Sequence, residues 1–520
     1  MPKFSGSNTK TRPPSGPTAT TGPAVTHEGG SGWEKDAKTA LYTLGVANLV
    51  GEPTFYEAAG ERDDRFRALV AQVTAEDPAW MQGFIPWLRA SANMRTAPLV
   101  AALEYAHAGG PNARGVIASA LQRADEPAEA LGYWLARYGR KIPMAVKRGI
   151  ADAAVRHYTE RGALKYDGSS RGIRMGDVIE LTHPHPATAQ QSALFKHLLD
   201  RRHGHWDTTV ENRALLDDLG LTMVAAAYRL DALPTEDRRG RLDRPDMLTA
   251  AGFTWERLSG WLPGGMDAQA WEAIIPSMGY MALLRNLRNF EQAKVNETVL
   301  RQVADKIADP EEVARSRQFP YRFLSAYINS GTTYFAPALE KALDLSMANI
   351  PVFPGRTLVL VDTSASMGAP VSQRSAVRAH DVGALFGVAV AATSKVDFVI
   401  YASGHAAINS LPVSVLRGTE LVAHKIGSVG HGTETWPAAL AHHNGQDRIV
   451  VFTDSQDHPS HAYQQLPDVP IYVWDLNGYG RTNTDLSTPG RYLFGGFTDA
   501  AFRLISLLEA GQDAGWPWEL

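Results

Sequence analysis

Apolar residues recur at helical spacing over 34–48, 63–75, 97–107, 113–123, 143–158 and 190–200. Breaks with Gly, Pro, Asn or Asp separate these segments, as at Gly109-Gly110-Pro111-Asn112. The pattern runs to about residue 345 with no convincing alternating strand. Short amphipathic helices cannot bury their apolar faces alone. A long series of them predicts helices stacked on one another, a helical-repeat array. No strict sequence period is present, so the repeats would be irregular, of the HEAT kind. A compact all-α domain is the alternative. Residues 1–32 are rich in Ser, Thr, Gly and Pro and hold few large apolar side chains, which predicts a flexible tail.

Near residue 350 the pattern changes. Thr357–Val361 reads as a fully buried strand, followed by helix-like 379–392, strand Val396–Tyr401, helix-like 414–426, strands Arg448–Thr453 and Ile471–Trp474, and helix-like 499–509. Strands alternating with helices predict a doubly wound α/β sheet, mostly parallel. The expected organisation is a tail over 1–32, a helical array over 33–350 and an α/β domain over 351–520. Such sheets place ligands at the carboxyl ends of their strands.

The strand ends carry the most specific chemistry. The first strand runs into Asp362-Thr-Ser364-Ala-Ser366, one carboxylate and two hydroxyls on a tight loop. Strand Arg448–Thr453 runs into Asp454, and the loop Gly430-His-Gly-Thr433-Glu-Thr435 adds a hydroxyl at Thr433. These oxygen donors suit a hard divalent cation, with Mg²⁺ the expected ion. The three loops, in this order, resemble the metal-ion-dependent adhesion site of von Willebrand factor A domains. Polar loops that only cap strands would explain any one of them, but not all three.

Composition removes several classes. There is no cysteine, which excludes disulfide scaffolds, thiolate zinc sites, iron–sulfur clusters and cysteine nucleophiles. No run of 18 apolar residues is present, and no apolar core follows the first basic residues. A soluble, cytoplasmic protein without a membrane span is the expectation. No Gly-Lys pair exists, so there is no P-loop. Gly168-Ser-Ser170-Arg-Gly172 fits a nucleophile-elbow pattern but lacks a preceding strand. His183-Pro-His185-Pro and His442-His443 lack further ligands at metal spacing. A metal-dependent hydrolase would want more carboxylates or histidines, so no catalytic residue is assigned and no enzyme is expected.

The net charge of −4 says little, but its distribution says more. Residues 137–174 hold 10 Lys and Arg against three acids, Asp152, Glu160 and Asp167. That is an electrostatic footprint inside a near-neutral chain. A solvated basic helix face is the plainer account.

Several strings, in order, resemble the Ro ribonucleoprotein autoantigen family, in which a TROVE module of HEAT-like helices precedes a von Willebrand factor A domain. They are Gly139-Arg140 with Lys147-Arg148-Gly-Ile-Ala-Asp152, then Asp177-Val-Ile-Glu-Leu-Thr-His183, then Met281-Ala-Leu-Leu-Arg285-Asn286-Leu287. Asp362–Met367 and Phe452-Thr-Asp454 complete the series. The resemblance covers about residues 33–510 and points to a bacterial Ro-like member. It implies a ring that binds small noncoding Y-like RNA on its outside and threads single-stranded 3′ ends of misfolded or structured RNA through its hole. It also implies a monomer, and a possible exoribonuclease partner such as polynucleotide phosphorylase. The candidate RNA contacts are Arg140, Lys141, Lys147, Arg148, Lys165, Arg171, Arg174 and His183 outside, and Arg285, Asn286 and Arg288 in the hole. Loop 166–174 departs from the family pattern, so Lys165, Arg171 and Arg174 are assigned by charge and neighbourhood. The rival reading is a protein scaffold whose metal site grips a partner's carboxylate, without RNA.

Overall fold

The structure, a computed structural model, describes residues 16–47, 49–168, 171–330, 334–348, 350–497, 499–511 and 515–519. Ser169 and Ser170 of the elbow-like string lie outside the described residues.

Helices fill the chain from Ala37–Ala47 to Ala336–Ser346. Local chemistry starts many of them. Asp77, Thr159, Thr188, Thr209, Thr254, Asp267, Asn296 and Asp309 each turn a side-chain oxygen onto a backbone N–H of the first turn. Pro78 and Pro310 occupy first-turn positions where no N–H is needed. Helix then packs on helix along the chain, and Trp271 meets Phe290 where Ala268–Ile274 passes to Tyr280–Gln292. One core joins helices from Leu41 to Tyr228. A second runs from Ala227 through the rest of the array into the α/β domain.

The α/β domain is the predicted doubly wound sheet. Including two strands nearer the N-terminus, the chain's strands are β1 (Thr20–Val25), β2 (Ser31–Lys35), β3 (Arg356–Asp362), β4 (Lys395–Tyr401), β5 (His405–Ile408), β6 (Arg448–Thr453), β7 (Ile471–Asp475), β8 (Arg481–Thr482) and β9 (Arg491–Gly495). The large sheet has the order β5-β4-β3-β6-β7-β9, parallel except for the edge strand β5. Leu358 and Leu360 point into the core under one face, Val359 and Val361 into the other. A strand covered on both faces must be apolar throughout, which is why β3 reads as an unbroken run.

The N-terminal segment departs from expectation. Residues 1–15 lie outside the described residues, but β1 and the start of β2 fall in the expected tail, and the two strands form a hairpin. β2 also pairs with β8, with Trp33 opposite Thr482. Gly22 and Pro23 obscure the strand pattern, and an edge strand tolerates both. The partner strand lies some 450 residues away, beyond any local signal.

This hairpin is anchored by a buried ion pair. Lys35 Nζ lies 2.6 Å from Asp475 Oδ2 at the end of β7, with both side chains 0% exposed. The ammonium also donates to the Tyr479 carbonyl and the Thr43 hydroxyl. The first helix packs on β9, while helices Pro320–Ser330 and Ala336–Ser346 pack on Ala379–Thr393 and Val415–Ala423. Both ends of the array therefore rest on the α/β domain, and the helices and domain make a closed circuit of contacts.

Lys35→Met should strand Asp475 as a buried charge. We expect a loss of about 3–5 kcal/mol in chemical denaturation, with most of it recovered in Lys35→Met/Asp475→Asn. A loss below about 1 kcal/mol in the single variant would show that the pair does not anchor the hairpin.

Candidate functional site

The three predicted loops meet at the carboxyl end of the sheet. Asp362 ends β3, and Asp454 follows the end of the adjacent strand β6. Asp362 Oδ1 accepts the Ser364 N–H at 2.9 Å, and Oδ2 accepts the Thr453 hydroxyl at 2.6 Å. The Ser364 and Ser366 hydroxyls are 3.2 Å apart. Asp454 is less well satisfied, accepting the Gln456 N–H at 3.3 Å and the Asn477 amide at 3.4 Å. The loop bearing Thr433 is locked in by Ala365 N–H to the His431 carbonyl and His458 N–H to the Thr433 carbonyl. Gly430, at φ +96°, lies so close to Ser403 that a Cβ would fall 2.0 Å from its hydroxyl.

All five predicted donors are buried, at 0–2% exposure. Burial pushes the carboxyls of Asp362 and Asp454 upward, and the Asp362 charge raises Asp454 further. The Lys35 ammonium is committed to Asp475. Two carboxylates and three hydroxyls, without a histidine, form a hard-oxygen donor set that fits Mg²⁺. Among the described residues no cluster of three or more His, Cys, Asp or Glu is arranged to hold a metal. The hydroxyls are therefore essential to the fit.

The basic residues fall into three groups. Lys147 and Arg148, on helix Met144–His157, share a cleft of about 630 Å³ with His183, His185 and Arg114. Arg140 and Lys141 are exposed just before that helix. The third group lies elsewhere. Arg174 is the N-cap and His183 the C-cap of Met175–Thr182, about 13.5 Å apart along the helix at 1.5 Å per residue. Arg174 is bound at 2.8 Å to Asp167, whose side chain is fully buried. It is thus a structural ion-pair partner rather than a free cation. Lys165 and Arg171 lie over the Tyr166 ring, 5.2 and 5.6 Å from its centroid.

Arg285 and Arg288 line a second cleft of about 500 Å³ with Asn289, Arg322, Ser325 and Arg374. Asn286 does not reach it. Its side chain is buried, donates to the Ala282 carbonyl at 2.8 Å and accepts from Asn289 at 2.8 Å. Positions 285, 288 and 289 share one helix face, and 286 is turned about 100° away. Helical spacing alone would have selected Asn289. Arg322 had no motif to mark it. Arg374 comes from the α/β domain, eight residues beyond Ser366, and only the fold brings it to the array.

Asp457 is a further buried carboxyl missed in the sequence. Its Oδ1 accepts from Thr435 at 2.7 Å and Asn483 at 3.0 Å, while Oδ2 is buried without a partner. Burial pushes it up to about 7. In the unfolded chain it titrates near 4. Between those values the folded protein keeps a proton the unfolded chain has lost, so raising the pH lowers stability, by up to about 1.4 kcal/mol per unit. The loss is complete above pH 7. Asparagine can keep both accepted bonds and does not titrate. In EDTA, the melting temperature of Asp457→Asn minus that of the wild type should climb from about pH 4 to 7 and then level. A flat difference would mean the carboxyl is ionised throughout.

Residues 238–342 match the TROVE domain family. Among solved structures, the chain is similar to the Ro (RSR) protein of Deinococcus radiodurans, with a TM-score of 0.60 and 18% sequence identity. The match covers 91% of this chain and 100% of that one. The matched TROVE segment contains Arg285, Arg288 and Arg322, so it supplies the array's side of the second cleft. No described helix is long and apolar enough to cross a membrane. The chain thus carries a segment that matches the TROVE domain family, within a fold similar to that of the Ro (RSR) protein.

Proposed function

We propose that the protein binds RNA without catalysing its chemistry, taking structured Y-like RNA at the Lys147–Arg148–His183 cleft and a single-stranded 3′ end at the Arg285–Arg288 cleft. The observation that carries this reading is the convergence of Arg285, Arg288, Arg322 and Arg374 on one opening. Among the described residues many guanidinium groups are committed to carboxylates, such as Arg89 to Glu126, Arg114 to Asp152 and Arg202 to Asp177. Among the described residues, the four in the cleft have no ion-pair partner. Uncompensated arginines gathered in a cleft attract phosphates, and Asn289 adds an amide for exposed bases. Lys147 and Arg148 in the first cleft, with the exposed Arg140 and Lys141 just before that helix, offer cations to the closely spaced phosphates of folded RNA.

A divalent cation, Mg²⁺ first, belongs to the same reading, held by Asp362, Ser364, Ser366, Thr433 and Asp454. It would neutralise the buried carboxylates and order the loops. An exoribonuclease could be recruited through the bound RNA. The cytoplasm is the compartment in which such RNA is met.

The test is RNA affinity across salt for two double variants. Arg285→Ala/Arg288→Ala should weaken a short single-stranded oligonucleotide about tenfold or more and flatten its log-affinity against log-salt slope by about 1. Lys147→Glu/Arg148→Glu should weaken a folded Y-like RNA more than the oligonucleotide. Equal weakening of both RNAs by both variants would refute the two-cleft division, and no binding by the wild type would refute the function.

The cation should be separable from RNA. Asp362→Ala should abolish stabilisation by Mg²⁺ and leave oligonucleotide affinity within about tenfold. A larger drop in the folded variant would count against separate sites.

A further inference from the structure

The turn between β1 and β2 lies over the cation pocket. The Thr26 hydroxyl and the Gly30 N–H both donate to the Asp457 carbonyl, at 2.5 and 3.1 Å, and the His27 N–H donates to Gln456 Oε1 at 3.0 Å. The fit is tight, since a Cβ on Gly30 would fall 2.3 Å from the Asp457 carbonyl oxygen and 2.6 Å from that of His458. Glu28 sits at the tip of this turn. Its carboxylate is 3.1 Å from His458 Nε2 and accepts the Tyr56 hydroxyl. Tyr56 stacks on His27 with ring centroids 4.7 Å apart, and its phenol faces Ser366 and Asp454. A line of oxygen groups thus runs from Glu28 through Tyr56 to the pocket.

Mg²⁺ held by only one or two carboxylates keeps positions for water or for an outside anionic oxygen. Here the five donors are 0–2% exposed, and the groups beyond them come from the same chain. We propose that Glu28, acting through Tyr56, closes the outer face of the cation pocket, and that the β1–β2 turn is a strap that keeps external carboxylates off the ion. Glu28 is a positioning residue. It takes the phenol's proton in a hydrogen bond and leaves the oxygen lone pairs turned to the pocket. Displacing the strap opens the site to a carboxylate of the kind carried by Asp, Glu or a chain terminus. This inference rests on the cation site proposed above.

Calorimetric Mg²⁺ binding to the full chain, stripped with EDTA, tests it, with and without acetate at fixed ionic strength. The wild type should bind Mg²⁺ with an affinity indifferent to acetate. Gly30→Ala, which displaces the strap without touching a donor, and Glu28→Gln, which keeps its shape, should each bind about tenfold more weakly and recover with acetate. Circular dichroism verifies that both are folded. Unchanged Mg²⁺ affinity in both variants, or acetate-dependent affinity in the wild type, overturns the strap and leaves the cation site standing. A wild type that binds no more Mg²⁺ than Asp362→Ala overturns both.

Discussion

Negative charge buried at one end of a sheet is the constraint on which this structure turns. Asp362, Asp454, Asp457 and Asp475 lie at or just past the carboxyl ends of β3, β6 and β7, at 0–3% exposure. An isolated carboxylate in such surroundings costs several kcal/mol or takes up a proton. Each is compensated differently. Asp475 is held by the Lys35 ammonium and by the backbone N–H groups of Asn477 and Gly478. Asp457 is pushed to about 7 and leans on Thr435 and Asn483. Asp362 and Asp454 share a pocket whose remaining donors are hydroxyls, and the counter-charge we propose there is a divalent cation. The hairpin β1–β2 is tied to two of these sites. Its last residue, Lys35, neutralises Asp475, and its turn seats on the carbonyl of Asp457.

A second division runs through the arginines. In the array many are spent on structure. Arg95 reaches Asp125 and Glu129, Arg257 reaches Asp231, and Arg174 and Arg201 share the buried Asp167. Local charge density therefore marks the basic window 137–174 well but does not sort its members. Lys147 and Arg148 open onto a cleft, while Arg174 serves the packing of its own helix. In the second cleft the local charge is sparse, yet four guanidinium groups from three segments converge there.

The fold and the meeting of the three strand-end loops were legible because their signals are local. Buried parallel strands read as apolar runs, and oxygen donors follow directly at their ends. Asp362, Ser364 and Ser366 lie within one loop, and the sheet topology fixes that Asp454 must lie beside them. What escaped the sequence is long-range. β1 and β2 are held by groups some 420–450 residues away, including Asp457 and Asp475. Arg374 joins Arg285 across about 90 residues. Asn286 was misplaced for a different reason: it was carried by a resemblance between strings rather than by the helical period, which sets Asn289 beside Arg285 and Arg288.

The pocket and the second cleft are joined by one stretch of chain, and the construction of that stretch is the physical ground for expecting them to be separable. From Ser366 the chain passes through a short turn and reaches Arg374 before entering helix Ala379–Thr393. Between them it closes on itself, with Pro370 bridged to Arg378 and the Val371 N–H bonded to the Val377 carbonyl. The Gln373 N–H is further held by Glu52 from the first part of the array. The Ala379 N–H returns to the Ala369 carbonyl and fixes the base of the hairpin. Arg374 is thus positioned mainly by the hairpin's own bonds and by Glu52, with the Ala369 N–H to the Ser366 carbonyl as a tie back to the pocket loop. If the pocket holds the proposed ion, its loss would act first on the loop at Asp362–Ser366, while the arm that carries Arg374 stays tied along its length by Val377 and Glu52.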